Sequence, residues 1–200
     1  MENKKAKAKY KINEIIAKRW SPRSFDATKE VSKEDLLSIC EAARWAPSSV
    51  NEQPWNYIIW DKFTDKENYN KAFSCLNEWN QKWAKNAPIL IGVFAYNLFS
   101  QNNNNNRWAL YDTGAATISM LLQATELGLV SHQMGGYDTN KLLKEFEITD
   151  DYTSISVIAL GYQAESDILE EPFRERESAE RIRKDLRENF YFSTWENPLE

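Results

Sequence analysis

Apolar positions along the chain change period several times, and the changes mark out its elements. Ile12, Ile15 and Ile16 recur at helical spacing within the stretch Tyr10 to Arg19, and Pro22 blocks continuation of that helix. Ser32 stands as an N-cap, with Glu34 and Asp35 in the first turn and Leu36, Leu37, Ile39, Cys40 and Ala43 behind them. This second helix must end near Trp45, because the residue before Pro47 is pushed out of the α region. WNYIIW, Trp55 to Trp60, reads as a strand, and helical stretches over roughly Lys66 to Cys75 and Leu76 to Lys85 follow. PILIGVFAY, Pro88 to Tyr96, is apolar on both faces and therefore central in a sheet. QNNNNN, Gln101 to Asn106, is an exposed loop tip. Trp108 to Leu127 carries the longest helix pattern, nearly free of charge, with Gly128 as its left-handed cap. LVSHQM then forms a short strand into the turn GGYD, Asp138 caps another helix, and SISVIALGY is a further strand. The tail from Glu170 is charged, then aromatic, and too apolar at its end to be disordered.

Helices first, then strands interrupted by helices, then an arm-like tail predict a mixed α+β domain over residues 1–200 rather than a doubly wound sheet. No repeat or linker divides the chain. With 200 residues it can bury a sizeable core, and its eight Trp, nine Tyr and nine Phe suit either that core or an aromatic ligand site. The net charge is −5 and no basic stripe is interleaved with aromatics, so nucleic acid is not expected as a partner. Lys4, Lys5, Lys7 and Lys9 read as a solvated lead-in to a helix. The strongest apolar run is too short to cross a bilayer, and no apolar region of signal-peptide type follows the amino-terminal charge. Cys40 and Cys75 lack a CxxC spacing and read as reduced thiols of a cytoplasmic protein. His132 is the only histidine, so neither a zinc site nor a His-based triad is expected, and no metal is.

Five segments are unusual for a purely structural chain. RWSPRSF, Arg19 to Phe25, gathers two arginines and two serines at a helix end, a donor set suited to phosphate. Pro47 to Pro54 places Ser48, Ser49, Asn51 and Gln53 in a turn that contains no glycine. NQKWAKNAP sets Asn80 one helical turn before Trp83. Gly135 and Gly136 allow a close backbone approach, and RIRK, Arg181 to Lys184, is again cationic. Taken singly, each also reads as a plain turn, a core tryptophan or a solvated face. No GxGxxG follows a strand and no GxxxxGKS occurs, so the common dinucleotide and triphosphate loops are absent.

In order, RWSPRSF, APSSVNEQPW, NQKWAKNAPILI, DTGAATISMLLQATELGL, QMGGYD, IALGY and RIRKDL resemble the FMN-dependent nitroreductase family from about Arg19 to Leu186. The resemblance implies a central mixed, mostly antiparallel sheet flanked by helices. It also implies a homodimer with FMN at the subunit interface and a carboxy-terminal arm, about 186–200, exchanged between subunits. Arg19, Ser21, Arg181 and Arg183 match the residues that hold the phosphate and ribityl chain. Arg23 matches the basic residue beside N1 and O2 of the flavin, and Asn80 the amide that reads the pyrimidine edge. Gly135 and Gly136 match the turn facing N5 and O4, and Pro47, Ser48, Ser49 and Asn51 the segment reaching in from the other subunit. Trp20 and Trp83 fall in the same cofactor-binding set, Trp20 where the family often has a basic residue or His and Trp83 where one branch has lysine. No side-chain nucleophile is required: the flavin N5 does the chemistry, with Arg23 and Gly135 in support.

The implied activity is an NAD(P)H-dependent FMN oxidoreductase passing hydride from NADH or NADPH to nitroaromatics, quinones or similar flat acceptors by a ping-pong mechanism. The alternatives are a flavin-binding store or sensor without turnover, and a flavin-cleaving or dehydrogenating relative. The Asn-rich stretch falls where the family varies its substrate lid. It lacks the Glu, Tyr and Lys set of the dehalogenating branch, so that activity is not expected.

Overall fold

The computed structural model describes residues 4–199. Four strands, β1 (Trp55–Asp61), β2 (Ile89–Tyr96), β3 (Val130–Met134) and β4 (Tyr152–Gly161), form one sheet in the order β1-β2-β4-β3. Every pairing is antiparallel among the described residues, in line with the mostly antiparallel sheet expected. The reason lies in the connections. Same-direction strands never pair, because β2 separates β1 from β4 and β4 separates β2 from β3. β2 is buried from Ile89 to Ala95, which its two-sided apolar pattern requires of a central strand.

Helices cover both faces. On one side, α2 (Lys33–Arg44) and α5 (Ala109–Glu126) pack against Ile89, Ile91, Val93, Ile158 and Leu160. On the other, α3 (Lys66–Cys75), α4 (Glu78–Ala84) and α6 (Thr139–Glu145) enclose Trp60, Trp83, Leu90, Phe94, Val157 and Ala159. The helix starts follow local chemistry: Ser32, Asp65, Asn77 and Asp138 each accept the backbone N–H three residues on. Gly128 closes α5 at φ 76°, in the left-handed region that favours glycine.

Four local expectations are refined. The first helix is only α1 (Glu14–Lys18), because Asn13 caps it late. The lysine segment before it is exposed at Lys5, Lys7 and Lys9, as expected, but it is also pinned: Lys4 Nζ donates to the Ala179 carbonyl, Lys7 pairs with Glu180, and Ala6 N–H donates to the Ala17 carbonyl. The helix expected from Leu76 starts at Glu78, since Leu76 bridges to Tyr137 and Asn77 takes the cap. The Asn-rich stretch is exposed over 101–105, but Asn106 is buried, its N–H donating to the Asn97 carbonyl. Last come α7 (Phe173–Ser178) and an arm that exposes Ile182, Phe190, Phe192 and Trp195.

One glycine in this core is sterically fixed. A Cβ on Gly92 would stand 2.6 Å from a Trp60 ring atom and 2.7 Å from a Phe94 ring atom. Gly92→Ala is therefore expected to cost about 1–3 kcal/mol through overpacking, measured as a lower denaturation midpoint with an unchanged slope.

Candidate functional site

Edge strand β3 and the face carrying α4 gather most of the candidate residues. His132 on β3 pairs in register with Ala159, so its ring lies on the same face as Trp83. The His132 ring centroid is 4.6 Å from that of Trp83, and Phe25 stacks on the same indole at 6.2 Å. His132 Nδ1 lies 2.9 Å from the Pro22 carbonyl; a carbonyl only accepts, so Nδ1 carries the proton and donates. This bond holds the loop Arg19 to Arg23 against the sheet edge. Burial and the charges of Arg23 and Arg19 depress the imidazole pKa to about 4, outweighing the backbone carbonyls that favour the cation.

The same loop is anchored from its other side by a carboxylate. Glu177 on α7 is buried and accepts from the Arg23 N–H at 2.9 and 3.1 Å, the Ser24 N–H at 3.1 Å and the Ser24 hydroxyl at 2.7 Å. Arg23 is thereby fixed with its guanidinium carbon 6.0 Å from the Trp83 ring centre and its buried Nε without a partner. Burial is the largest influence on this guanidinium and lowers its pKa; the charge of Glu177 opposes that and Arg176 adds to it.

Arg19, Arg181 and Arg183 form a cluster. Burial lowers the Arg19 pKa first and the charges of Arg181 and Arg183 lower it further; Arg181 is lowered by burial and by Arg183. None of the three makes an ion pair with a carboxylate among the described residues. Arg19 reaches the Ser21 hydroxyl at 3.2 Å. Arg181 donates from both terminal nitrogens to the carbonyls of Lys4, Ala17 and Arg19. It braces the cluster from behind. Arg183 is exposed, and Trp20 lies half-buried beneath the Lys4 ammonium at 5.7 Å.

Asn80 donates to the Gly136 carbonyl at 3.0 Å, tying α4 to the turn after β3. Neither Gly135 nor Gly136 has a positive φ. A Cβ at Gly136 would strike the Asn77 and Asn80 amides at 2.3 and 2.8 Å, whereas one at Gly135 would meet open space. Gly135 is therefore where the backbone stands bare to solvent. Trp83 is only 1% exposed and lies beneath His132 and Phe25.

Pro47, Ser48, Ser49 and Asn51 lie elsewhere. Ser49 N–H donates to Asp112 on α5 at 3.0 Å, and the Ser48 hydroxyl accepts from Gln53 N–H at 3.0 Å. This segment leads into β1, the far edge of the sheet from β3. Three strand spacings, about 14 Å, separate the edges. Trp55 is level with Ala95 and Thr153, whereas Met134 is level with Val157. The two groups occupy diagonal corners, and no hydrogen bond or ring contact joins them among the described residues.

Sequence reasoning set His132 aside because it sought only metal and triad chemistry, and it missed Glu177 and Asp112. Asp112 did leave a signal, being one of two charged residues in that helix, the other being Glu126 at its end. Glu177 sits in a charged run and left none.

The fold and this corner define an α+β protein with an arginine-rich loop beside a buried aromatic cluster. A family model described as "Nitroreductase family" matches residues 16–78 and 59–162. The chain belongs to the nitroreductase family. A solved structure described as an oxidoreductase containing FMN superposes with a TM-score of 0.88 at 32% identity, covering 98% of each chain. A Bacillus subtilis protein with the provisional name NAD(P)H nitroreductase YdgI is 25% identical over 188 residues, 76% of this chain and 88% of that one. The major NAD(P)H-flavin oxidoreductase of Aliivibrio fischeri is 33% identical over 83 residues, 42% of this chain and 38% of that protein.

The depressed His132 pKa has a consequence for stability. From about 6.5 in the unfolded chain to about 4 in the folded one, the unfolded state binds the extra proton, so stability falls as pH drops through that window. The full shift corresponds to about 3.4 kcal/mol, and the partial exposure of the ring reduces this to about 2–3 kcal/mol. His132→Asn, which can still donate to Pro22, should lack this share of the loss when unfolding free energies at pH 7 and pH 4.5 are compared.

Proposed function

We propose that this chain is an FMN-dependent oxidoreductase that takes hydride from NADH or NADPH and delivers it to nitroaromatics, quinones or similar flat acceptors, alternately on one open face in ping-pong order. The observation that carries this reading is the Arg19, Arg181 and Arg183 cluster without a carboxylate, beside the partnerless buried Nε of Arg23. A dianionic phosphate satisfies the first and the polar edge of a flat ring the second. The residues therefore fit FMN. The family and an FMN-containing relative at 32% identity support the same choice.

Arg19, Ser21 and Arg183 would hold the phosphate, with Arg181 fixing the carbonyls behind them. Arg23 and the free groups of Asn80 would hold the polar ring edge, over the open backbone at Gly135 and Gly136. Bound FMN would accept hydride from the nicotinamide and supply it to the acceptor. The protein's own part is to orient the reactants, exclude water with the Trp83 and His132 wall, and set charge beside the ring.

The functional unit is proposed to be a homodimer, in which Pro47, Ser48, Ser49 and Asn51 of one chain complete the pocket of the other. Their diagonal separation from Arg23 supports this, as do Leu110, Tyr111 and Ile118 exposed on α5 and the aromatic arm of 186–200. The chain is read as one cytoplasmic domain, its free thiols Cys40 and Cys75 agreeing with a reducing compartment. Among the described residues no helix is long and apolar enough to cross a membrane.

Denaturation should release intact FMN from the purified protein, and NADH or NADPH should bleach the bound chromophore. FAD in its place, or no binding after reconstitution, would end the proposal; binding without bleaching would favour a flavin store or sensor. Arg183→Gln should weaken FMN by about tenfold, the value of one exposed charge-assisted hydrogen bond, while riboflavin binding stays nearly unchanged.

Arg23→Gln should act on potential more than on affinity. A guanidinium at the ring edge stabilises the reduced, more negative state by roughly 1.5–3 kcal/mol, and the nearby Glu177 carboxylate holds the effect at the lower end. At ~30 mV per 1.4 kcal/mol for a two-electron couple, the midpoint should fall by about 30–40 mV. Spectroelectrochemical titration checks this; an unshifted midpoint would place Arg23 outside the pocket.

A further inference from the structure

Among the described residues two charged side chains are buried, Asp112 at 4% exposure and Glu177 at 1%. Neither makes an ion pair with Lys or Arg among those residues. A carboxylate taken from water without a cation must be held by hydrogen-bond donors, and such burial is rare unless something fixes it. The donors here come from the two halves of the proposed site. Glu177 receives the N–H groups of Arg23 and Ser24 and the Ser24 hydroxyl, and Asp112 receives the N–H of Ser49.

We infer that Glu177 and Asp112 are positioning residues, one for each half of a pocket shared between two chains. The inference rests on the composite FMN site proposed above. Glu177 joins α7 to the Arg23 loop and thereby sets where that guanidinium points. Asp112 does the equivalent for a turn that cannot hold itself. Val50, Asn51 and Gln53 have φ of 48°, 58° and 53°, left-handed values in residues that carry a Cβ. For β-branched Val50 this is a strained conformation, which persists only where the surroundings enforce it. The Asp112 bond to Ser49, the Ser48 bond to Gln53 and the Glu52 bond to Ser100 N–H are the enforcing contacts. Without Asp112 the Ser49 N–H loses its acceptor and the turn can relax away from the ring it is proposed to face.

Complementation between variants tests the inference, because each variant would break a different half. Homodimers of Asp112→Ala and of Glu177→Gln should each bind FMN at least about tenfold more weakly than the unaltered protein. Dimers formed by mixing the two variants, isolated through different affinity tags, contain one pocket with both lesions and one with neither. They should recover one tightly bound FMN per dimer, counted after acid release. Asp112→Asn keeps an oxygen for Ser49 and should recover most of the affinity lost in Asp112→Ala. Ser24→Ala, which removes only the hydroxyl donor, replaces Glu177→Gln if that variant does not fold.

Unweakened FMN binding in folded Asp112→Ala and Glu177→Gln would overturn the positioning roles and leave the FMN reading standing. Mixed dimers with no recovered site, while the unaltered dimer holds one FMN per chain, would overturn the assignment of the two carboxylates to separate halves. An unaltered protein that takes up no FMN would sink the functional reading itself, and the inference with it.

Discussion

Three guanidinium groups held together without a carboxylate are the constraint around which the corner of this molecule is organised. Like charges brought close and partly out of water destabilise the fold, and the lowered pKa values of Arg19 and Arg181 record that cost. Backbone dipoles offset part of it. Arg181 reaches the carbonyls of Lys4, Ala17 and Arg19, which draws the amino-terminal segment over the end of α1. The neighbouring acids are meanwhile diverted: Glu180 pairs with Lys7, and Glu177 turns inward to backbone N–H groups. The positive cluster is left uncompensated by the protein itself, which is the condition for strong binding of a phosphate.

The second constraint is the sheet. Its strand order puts β1 and β3 at opposite edges, so polar groups at the start of β1 and at the end of β3 cannot meet within one chain. Trp83, flanked by Phe25, His132 and Arg23, makes the β3 corner rigid. The β1 corner has no such wall and depends on hydrogen bonds to Asp112 and Ser48. One corner is therefore preorganised by packing and the other by anchoring.

Local rules carried much of this into the sequence. Ser32 and Asp138 cap the helices their side chains announce, Gly128 takes its left-handed turn, and the two-sided apolar run of β2 lies in mid-sheet. The resemblance of whole segments added the family, since several weak motifs in one order are strong together. What escaped were features set by tertiary partners. Nothing near Arg181 says that its donors end on carbonyls from residues 4, 17 and 19, and nothing near Lys7 names Glu180. Trp83 enters the candidate set through the resemblance of its segment, while its burial at 1% exposure is set by Phe25 and His132, tertiary partners that no neighbouring residue names.

The turn without glycine joins both constraints. Glycine at positions 50, 51 and 53 would adopt the same left-handed angles with no steric cost. It would also surrender the Asn51 and Gln53 side chains and leave the turn free to take other shapes. Val50, Asn51 and Gln53 keep those groups at the expense of strain, and Gln53 returns part of it through its side-chain bond to the Asn51 carbonyl. A strained turn has fewer alternative conformations of comparable energy once its anchors are made, so it can be rigid without a hydrophobic wall behind it. At an exposed corner where no core can be built, strain held by a buried carboxylate takes the place of packing.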